Sequence, residues 1–371
     1  MTDPNNNNNT TISIASDETI ERVAQMIASA QRVCVFTGAG MSAESGIETF
    51  RGSSGLWTGW IGKIVLGYFG TPLGWTISPK LCWTQYVKRF YEPIAKAHPN
   101  PGHYALAKLQ KQVFPNLQII TQNVDGLHQR AGSDPDKTYE VHGTVRRHCC
   151  VAERHPFDFE RFKREHPEEY VNITTTTTTT KSITNKNTTT SEHVESAWNQ
   201  EEGGIVVGDD ESSSLLNNGE EHPIEKLPYK SPTCQHEGCR STLRPDCVLF
   251  TEGLPMDQWN PSYDAVRRMR EGDVMLVIGT SAKVYPAAGL PSVAAKRGAF
   301  IIEFNIEETD YNTLPNYHFV KGPSGVTLPR IVNRVIELKN LDLNNNNNNT
   351  SPTSSSSIGE RIHSQEEHSL M

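Results

Sequence analysis

Long apolar runs are missing from this chain of 371 residues, and with them any helix long enough to span a membrane. Basic blocks are missing too, so no electrostatic footprint for nucleic acid is present. Residues 1–11 lack a secretory core and the Arg-rich pattern of a transit peptide, which sets the expected location as cytoplasmic or nuclear, with a mitochondrial one left open. Cysteine is sparse: seven residues, an odd number with some short spacings, suit metal ligation or buried thiols better than disulfides. Acidic excess is narrower than the net charge of −8 suggests, because residues 156–230 hold 15 acids and 7 bases and account for all of it. That charge marks a solvated insert, not an acidic active surface.

What is present begins with low complexity. Asparagine runs at 5–9 and 344–349, threonines 174–180 and serines 354–357 offer nothing to bury. Disorder is therefore expected over 1–13, in the insert 156–222 and in the tail 342–371. Between them, β-branched and apolar runs at 33–36, 118–121, 274–278 and 299–304 alternate with helical spacing at 17–30, 100–109 and 286–297. The alternation predicts a doubly wound, mostly parallel α/β sheet of the Rossmann type over 14–148 and 240–341. A helical lid and pocket segment is expected at 53–99. Residues 149–239 are expected to form a small second module, zinc-ribbon-like and helical.

The first strand runs into Gly38-Ala39-Gly40-Met41-Ser42-Ala43-Glu44, whose Gly-x-Gly-x-x-Ala spacing satisfies a dinucleotide fingerprint. One glycine turns the chain, the next admits a pyrophosphate, and the small third residue lets helix pack on strand. Polar residues also end the later strands: Gln122, Gly279 and Asn305. Open parallel sheets bind ligands at those ends. A hydride-transferring enzyme would carry an acid about 20 residues past the fingerprint to hold a ribose. Here that region reads Thr58-Gly59-Trp60-Ile61-Gly62-Lys63, so Asn305-Ile306-Glu307 is the candidate for ribose recognition and Phe50-Arg51 for a lid.

The runs 38–47 with Phe50-Arg51, Thr121-Gln122-Asn123-Val124-Asp125-Gly126-Leu127-His128, Val141-His142-Gly143 and Gly279-Thr280-Ser281 together resemble the sirtuins, NAD-dependent protein deacylases. The likeness covers residues 33–328. Tyr86-Val87-Lys88-Arg89, Ile224-Glu225-Lys226-Leu227-Pro228 and Val284-Tyr285-Pro286 make it most like the class III branch, the desuccinylases and demalonylases. The resemblance implies NAD as cosubstrate, held by Gly38, Ala39, Gly40, Ser42, Ala43, Glu44, Phe50, Arg51, Trp57, Gln122, Asn123, Val124, Asp125, Gly279, Thr280, Ser281, Asn305, Ile306, Glu307 and Ser324. It implies that an acyl-lysine carbonyl oxygen displaces nicotinamide, with His142 as general base for the ribose hydroxyl that then attacks the imidate carbon. Histidine suits this, since its ordinary pKa near 6.5 lets it exchange protons at neutral pH. The partners implied are acylated-lysine proteins. His128 reads as structural, and a plain deacetylase or a non-catalytic NAD or ADP-ribose sensor stands as the alternative.

Tyr86 and Arg89, three apart on a helix, are expected to clasp a carboxylate, which favours succinyl, malonyl or glutaryl substrates. Sirtuins carry two spaced cysteine pairs around a structural zinc. Here Cys234 and Cys239 match one pair, but Cys149 and Cys150 are adjacent, an awkward arrangement for one tetrahedral ion. Cys149, Cys150, Cys234 and Cys239 are taken as the ligand set, with Glu153, His148 or His155 as alternative fourth ligands. Cys34 and Cys247 read as core thiols.

Overall fold

The computed structural model describes residues 14–48, 67–168 and 227–349, with side chains to 342. Phe50, Arg51 and Trp57 lie outside the described residues, as does most of the insert.

Six strands form one sheet: β1 (Val33–Thr37), β2 (Gln118–Thr121), β3 (Thr138–Glu140), β7 (Val274–Ile278), β8 (Phe300–Asn305) and β9 (Tyr317–Lys321). Their order is β3-β2-β1-β7-β8-β9, and every pairing is parallel. This is the doubly wound arrangement, and the order reverses between β1 and β7. The central strands β1 and β7 are buried along their whole length because both faces of the sheet are covered. One face packs Val35, Ile119, Leu276 and Ile302 under the helices Asp17–Ser29, Pro101–Gln112 and Ser324–Asn349. The other packs Phe36, Ile120, Val277 and Ile301 under Met256–Arg267 and Leu290–Lys296. Among the described residues, no helix is long and apolar enough to cross a membrane.

A second, antiparallel sheet joins β4 (Gly143–Cys150) to β5 (Pro156–Phe157) and β6 (Leu243–Cys247). It reaches from 143 to 247, beyond the 149–239 bounds expected for the small module. Gly143 begins it with a φ of 76°, and a Cβ there would run into the Asp246 carbonyl. His142 is therefore the last residue before the chain leaves one sheet for the other.

Two expectations of disorder need correction. Residues 156–165, assigned to the insert, form β5 and a helix, Phe159–Glu165, capped by Asp158. Phe157 and Phe162 bury themselves with Leu227 and Trp83, and that apolar gain orders a segment whose charge suggested solvent. The last helix also runs to Asn349, through the asparagine run expected to be disordered. Extending a helix already anchored by Leu328, Ile331 and Val335 requires propagation only, not a new nucleus.

Candidate functional site

The fingerprint forms as a tight packing of two turns. Gly38 N–H donates to the Ile278 carbonyl at 2.9 Å, and Gly40 N–H to the Gly279 carbonyl at 2.8 Å. A Cβ on Gly38 would come within 2.9 Å of Gly279 and Thr280, and one on Gly40 within 2.8 Å of the Gly279 backbone. The sequence reading gave the second glycine to an approaching pyrophosphate. Its lack of a side chain also admits the turn after β7. Residues Ala39–Ser45 then wind as a 3₁₀ helix ended by Gly46 in the left-handed region.

Across the switch point the strand ends are tied by side chains. Gln122 Nε2 donates to Thr280 Oγ1 at 3.0 Å, spanning the end of β1. Asn305 Nδ2 donates to the Thr280 carbonyl at 3.0 Å. Asn123 Nδ2 donates to the Gly38 carbonyl and to Ser42 Oγ, both at 3.0 Å. Ser42 Oγ–H in turn donates to Asp125 Oδ2 at 2.7 Å. The other oxygen of Asp125 caps the short helix Leu127–Arg130, accepting from Leu127 N–H at 2.9 Å. Burial pushes the Asp125 carboxyl up from its ordinary value, against the lowering effect of those two hydrogen bonds. Val124 and Gly38, Ala39 and Gly40 line the same region; Ala43, Ser281, Ile306 and Glu307 are exposed around it.

His142 is half-buried, and its Nδ1 lies 3.0 Å from the Gln122 carbonyl. A carbonyl only accepts, so Nδ1 carries the proton and Nε2 keeps a free lone pair. Burial lowers the His142 pKa, partly offset by that hydrogen bond. The imidazole is thus held as a neutral base in one tautomer.

Two expected cofactor residues, Glu44 and Ser324, are bonded to each other. Glu44 accepts from Gly325 N–H at 2.6 Å and from Ser324 Oγ at 3.3 Å, capping the last helix. The carboxylate offsets the positive end of that helix and ties it to the fingerprint turn.

Tyr86 and Arg89 do not meet as the α-helical spacing predicts. The helix Pro79–Tyr86 passes into a π turn at Val87–Tyr91, where each residue turns the chain by less than in an α-helix, and Tyr86 is buried while Arg89 is exposed. The Tyr86 ring is buried among Trp75, Trp83, Tyr91 and His148, its hydroxyl 3.1 Å from His148 Nε2 and 3.3 Å from the Val145 carbonyl. Arg89 is exposed, its Nε bonded to Gln85 at 3.0 Å.

The metal set changes by one ligand. Cys150, Cys234, Cys239 and His155 bring their ligand atoms within 4.8 Å of one another. Cys149, one residue along β4, pairs across to Arg244 and Pro156 and is absent from that cluster. Successive residues of a strand face opposite sides, so only one of two adjacent cysteines can join. A tetrahedral zinc with Zn–S of about 2.3 Å and Zn–N of about 2.05 Å needs S···S of about 3.75 Å and S···N of about 3.55 Å. The distances here are 3.9 Å for Cys239–Cys150, 3.6 Å for Cys150–His155 Nδ1 and 3.8 Å for Cys234–His155 Nδ1. The donor set fits a structural zinc of the Cys₃His kind, with no open position and no catalytic part.

Glycines, side-chain amides, a buried carboxylate and an oriented histidine gathered at the strand-order reversal define a nucleotide-using Rossmann-type domain. The Sir2 family matches residues 38–286. The NAD-dependent protein deacylase of Aquifex aeolicus is 37% identical over 293 residues, 79% of this chain and 90% of the relative. A second NAD-dependent protein deacylase, from Pyrobaculum aerophilum, is 34% identical over 84% of the chain and 94% of its own length. Mitochondrial sirtuin-5 of Danio rerio is 32% identical over 83% and 84%. Among solved structures, a Sir2 homologue in complex with NAD aligns with a TM-score of 0.59 at 30% identity, covering 86% of this chain and 94% of that one. The chain belongs to the Sir2 family of NAD-dependent protein deacylases.

Proposed function

We propose that this protein removes acyl groups from protein lysine at the expense of NAD, which supplies an ADP-ribosyl acceptor once nicotinamide has left. The observation that carries the reading is the tautomer of His142: Nδ1–H fixed on the Gln122 carbonyl leaves Nε2 free as the base. Around it, Asn123 and Asp125 are positioned to hold the nicotinamide end and its ribose, and the turn 38–42 the pyrophosphate. Nε2 takes the proton of the ribose hydroxyl as that hydroxyl attacks the acyl carbon. His142→Ala should cut turnover by about 10²–10⁴-fold while leaving the protein folded. Nicotinamide release with acyl-lysine peptides measures this, and full turnover in the variant would remove His142 from the mechanism.

Short dicarboxylic acyl groups are the finer reading. It is supported by the class III likeness and by Arg89, whose exposed guanidinium is bonded through Nε and is the group suited to a carboxylate. The Tyr86 hydroxyl, the other expected clasp, lies 3.1 Å from His148 Nε2. Matched acetyl, succinyl and glutaryl peptides test it: the wild type should favour the diacids, and Arg89→Met should erase that preference. A preference unchanged in Arg89→Met would sink it, and an acetyl preference would favour a plain deacetylase.

A further inference from the structure

Beneath the site lies a buried file of polar groups that the mechanism leaves unused. Thr37 and Thr121 end β1 and β2 side by side in register, and Thr37 Oγ1–H donates to Thr121 Oγ1 at 2.8 Å. Thr121 Oγ1 also accepts the backbone N–H of Asn123 at 3.0 Å. Thr37 has a single hydroxyl proton, spent on Thr121, so its lone pair takes the proton of His128 Nε2, 3.1 Å away. That assigns His128 as the Nε2–H tautomer with Nδ1 bare, and Nδ1 has no partner among the described residues. Next to it, His103 Nδ1 accepts from Asn100 N–H at 3.3 Å, which leaves its proton on Nε2, also without a partner. The two rings lie edge to face with centroids 5.0 Å apart, and both are almost wholly buried.

The file runs from His128 through Thr37 and Thr121 and terminates on the backbone of the residue whose carboxamide organises Gly38 and Ser42. A residue that merely filled core space would need neither a polar ring nor a defined tautomer. We propose that His128 is a positioning residue for the deacylation reaction. Through Thr37 and Thr121 it holds the Asn123 backbone in register and, with it, the Ser42–Asp125 pair. Asp125 also caps the helix that carries His128, so the file closes on itself. The inference rests on the proposed NAD-dependent reaction only for where its effect is read.

His128→Phe keeps the ring's bulk and removes the donor. His128→Gln returns an N–H near the Nε2 position, and Thr37→Val removes the middle hydroxyl with little change of shape. Purified, folded His128→Phe should lose about tenfold in NAD affinity by titration calorimetry and a similar factor in kcat/KM for NAD. His128→Gln should recover most of both. The double variant His128→Phe/Thr37→Val should be no worse than the poorer single variant, because both break the same file. A purely structural role would lower the melting temperature of His128→Phe without changing NAD affinity, and its loss would multiply with that of Thr37→Val; either result overturns the proposal. NAD affinity is read without turnover. A wild type that binds NAD but cleaves no acyl-lysine peptide thus rejects the proposed reaction while leaving the file tested by binding.

Discussion

At the scale of single residues, His142 is governed by one hydrogen bond and by burial. Its folded pKa lies below the ordinary 6.5, so the neutral base persists as the solution is acidified past that value. The acid limb of kcat/KM should accordingly have its midpoint below pH 6.5. Steady-state assays from pH 5 to 8 check this, and a midpoint above 6.5 would contradict the assigned environment. The base itself was readable from Val141-His142-Gly143 beside the Asn123-x-Asp125 turn. Its tautomer was not, because Gln122 contributes a backbone carbonyl and carbonyls leave no mark in a sequence. The bond of Glu44 was hidden for a similar reason: nothing in its neighbourhood announces a helix start 280 residues further on.

At the scale of elements, the small module shows what adjacent cysteines mean on a strand. Cys149→Ser should retain metal, whereas Cys150→Ser and Cys234→Ser should lose it. Metal analysis of the purified variants decides between them, and zinc lost from Cys149→Ser would overturn the Cys₃His assignment. Chelation should release the module's antiparallel sheet while leaving the six-stranded sheet folded, seen as partial loss of structure by circular dichroism. Period-two alternation along β4 implies that only one of the two adjacent cysteines joins, and the structure selects Cys150. Recognising His155 as the replacement needed the fold of the β4–β5 corner. The π turn at Val87–Tyr91 was illegible, since its sequence continues a good helix and only the packing of Tyr86 and Tyr91 beside His148 reveals the extra residue. Phe157 and Phe162 could have been found: an Asp158 cap followed by spaced aromatics is a helix signal that the surrounding charge obscured.

Taken whole, the molecule buries histidines that must stay neutral. Burial lowers the pKa of His103, of His128 to about 4, and of His142. These folded values lie below those of the unfolded chain, so the stability they confer is full above about pH 6.5 and is lost as the pH falls toward the folded values. His128 alone accounts for about 2 kcal/mol between pH 7 and 5. Urea denaturation should show a lower midpoint at pH 5 than at pH 7, and His128→Phe should flatten that difference. Equal midpoints would refute it. The global architecture was the most legible level, because alternating apolar strands and helices permit few packings and the strand-end glycines mark where the order reverses.

The segment 227–229 returns from the insert onto the Pro79–Tyr86 helix. Trp83 Nε1 donates to the Pro228 carbonyl at 2.8 Å, Thr84 Oγ1 to the Tyr229 carbonyl at 3.1 Å, and the Tyr229 hydroxyl to Glu92 at 2.6 Å. On the outgoing side, Phe162 is anchored in the same apolar cluster. Both ends of residues 169–226 are thereby moored to the framework, independently of what joins them. For protein engineering this is a ready splice point: a fluorescent or affinity domain exchanged into that stretch would be held between two anchored ends.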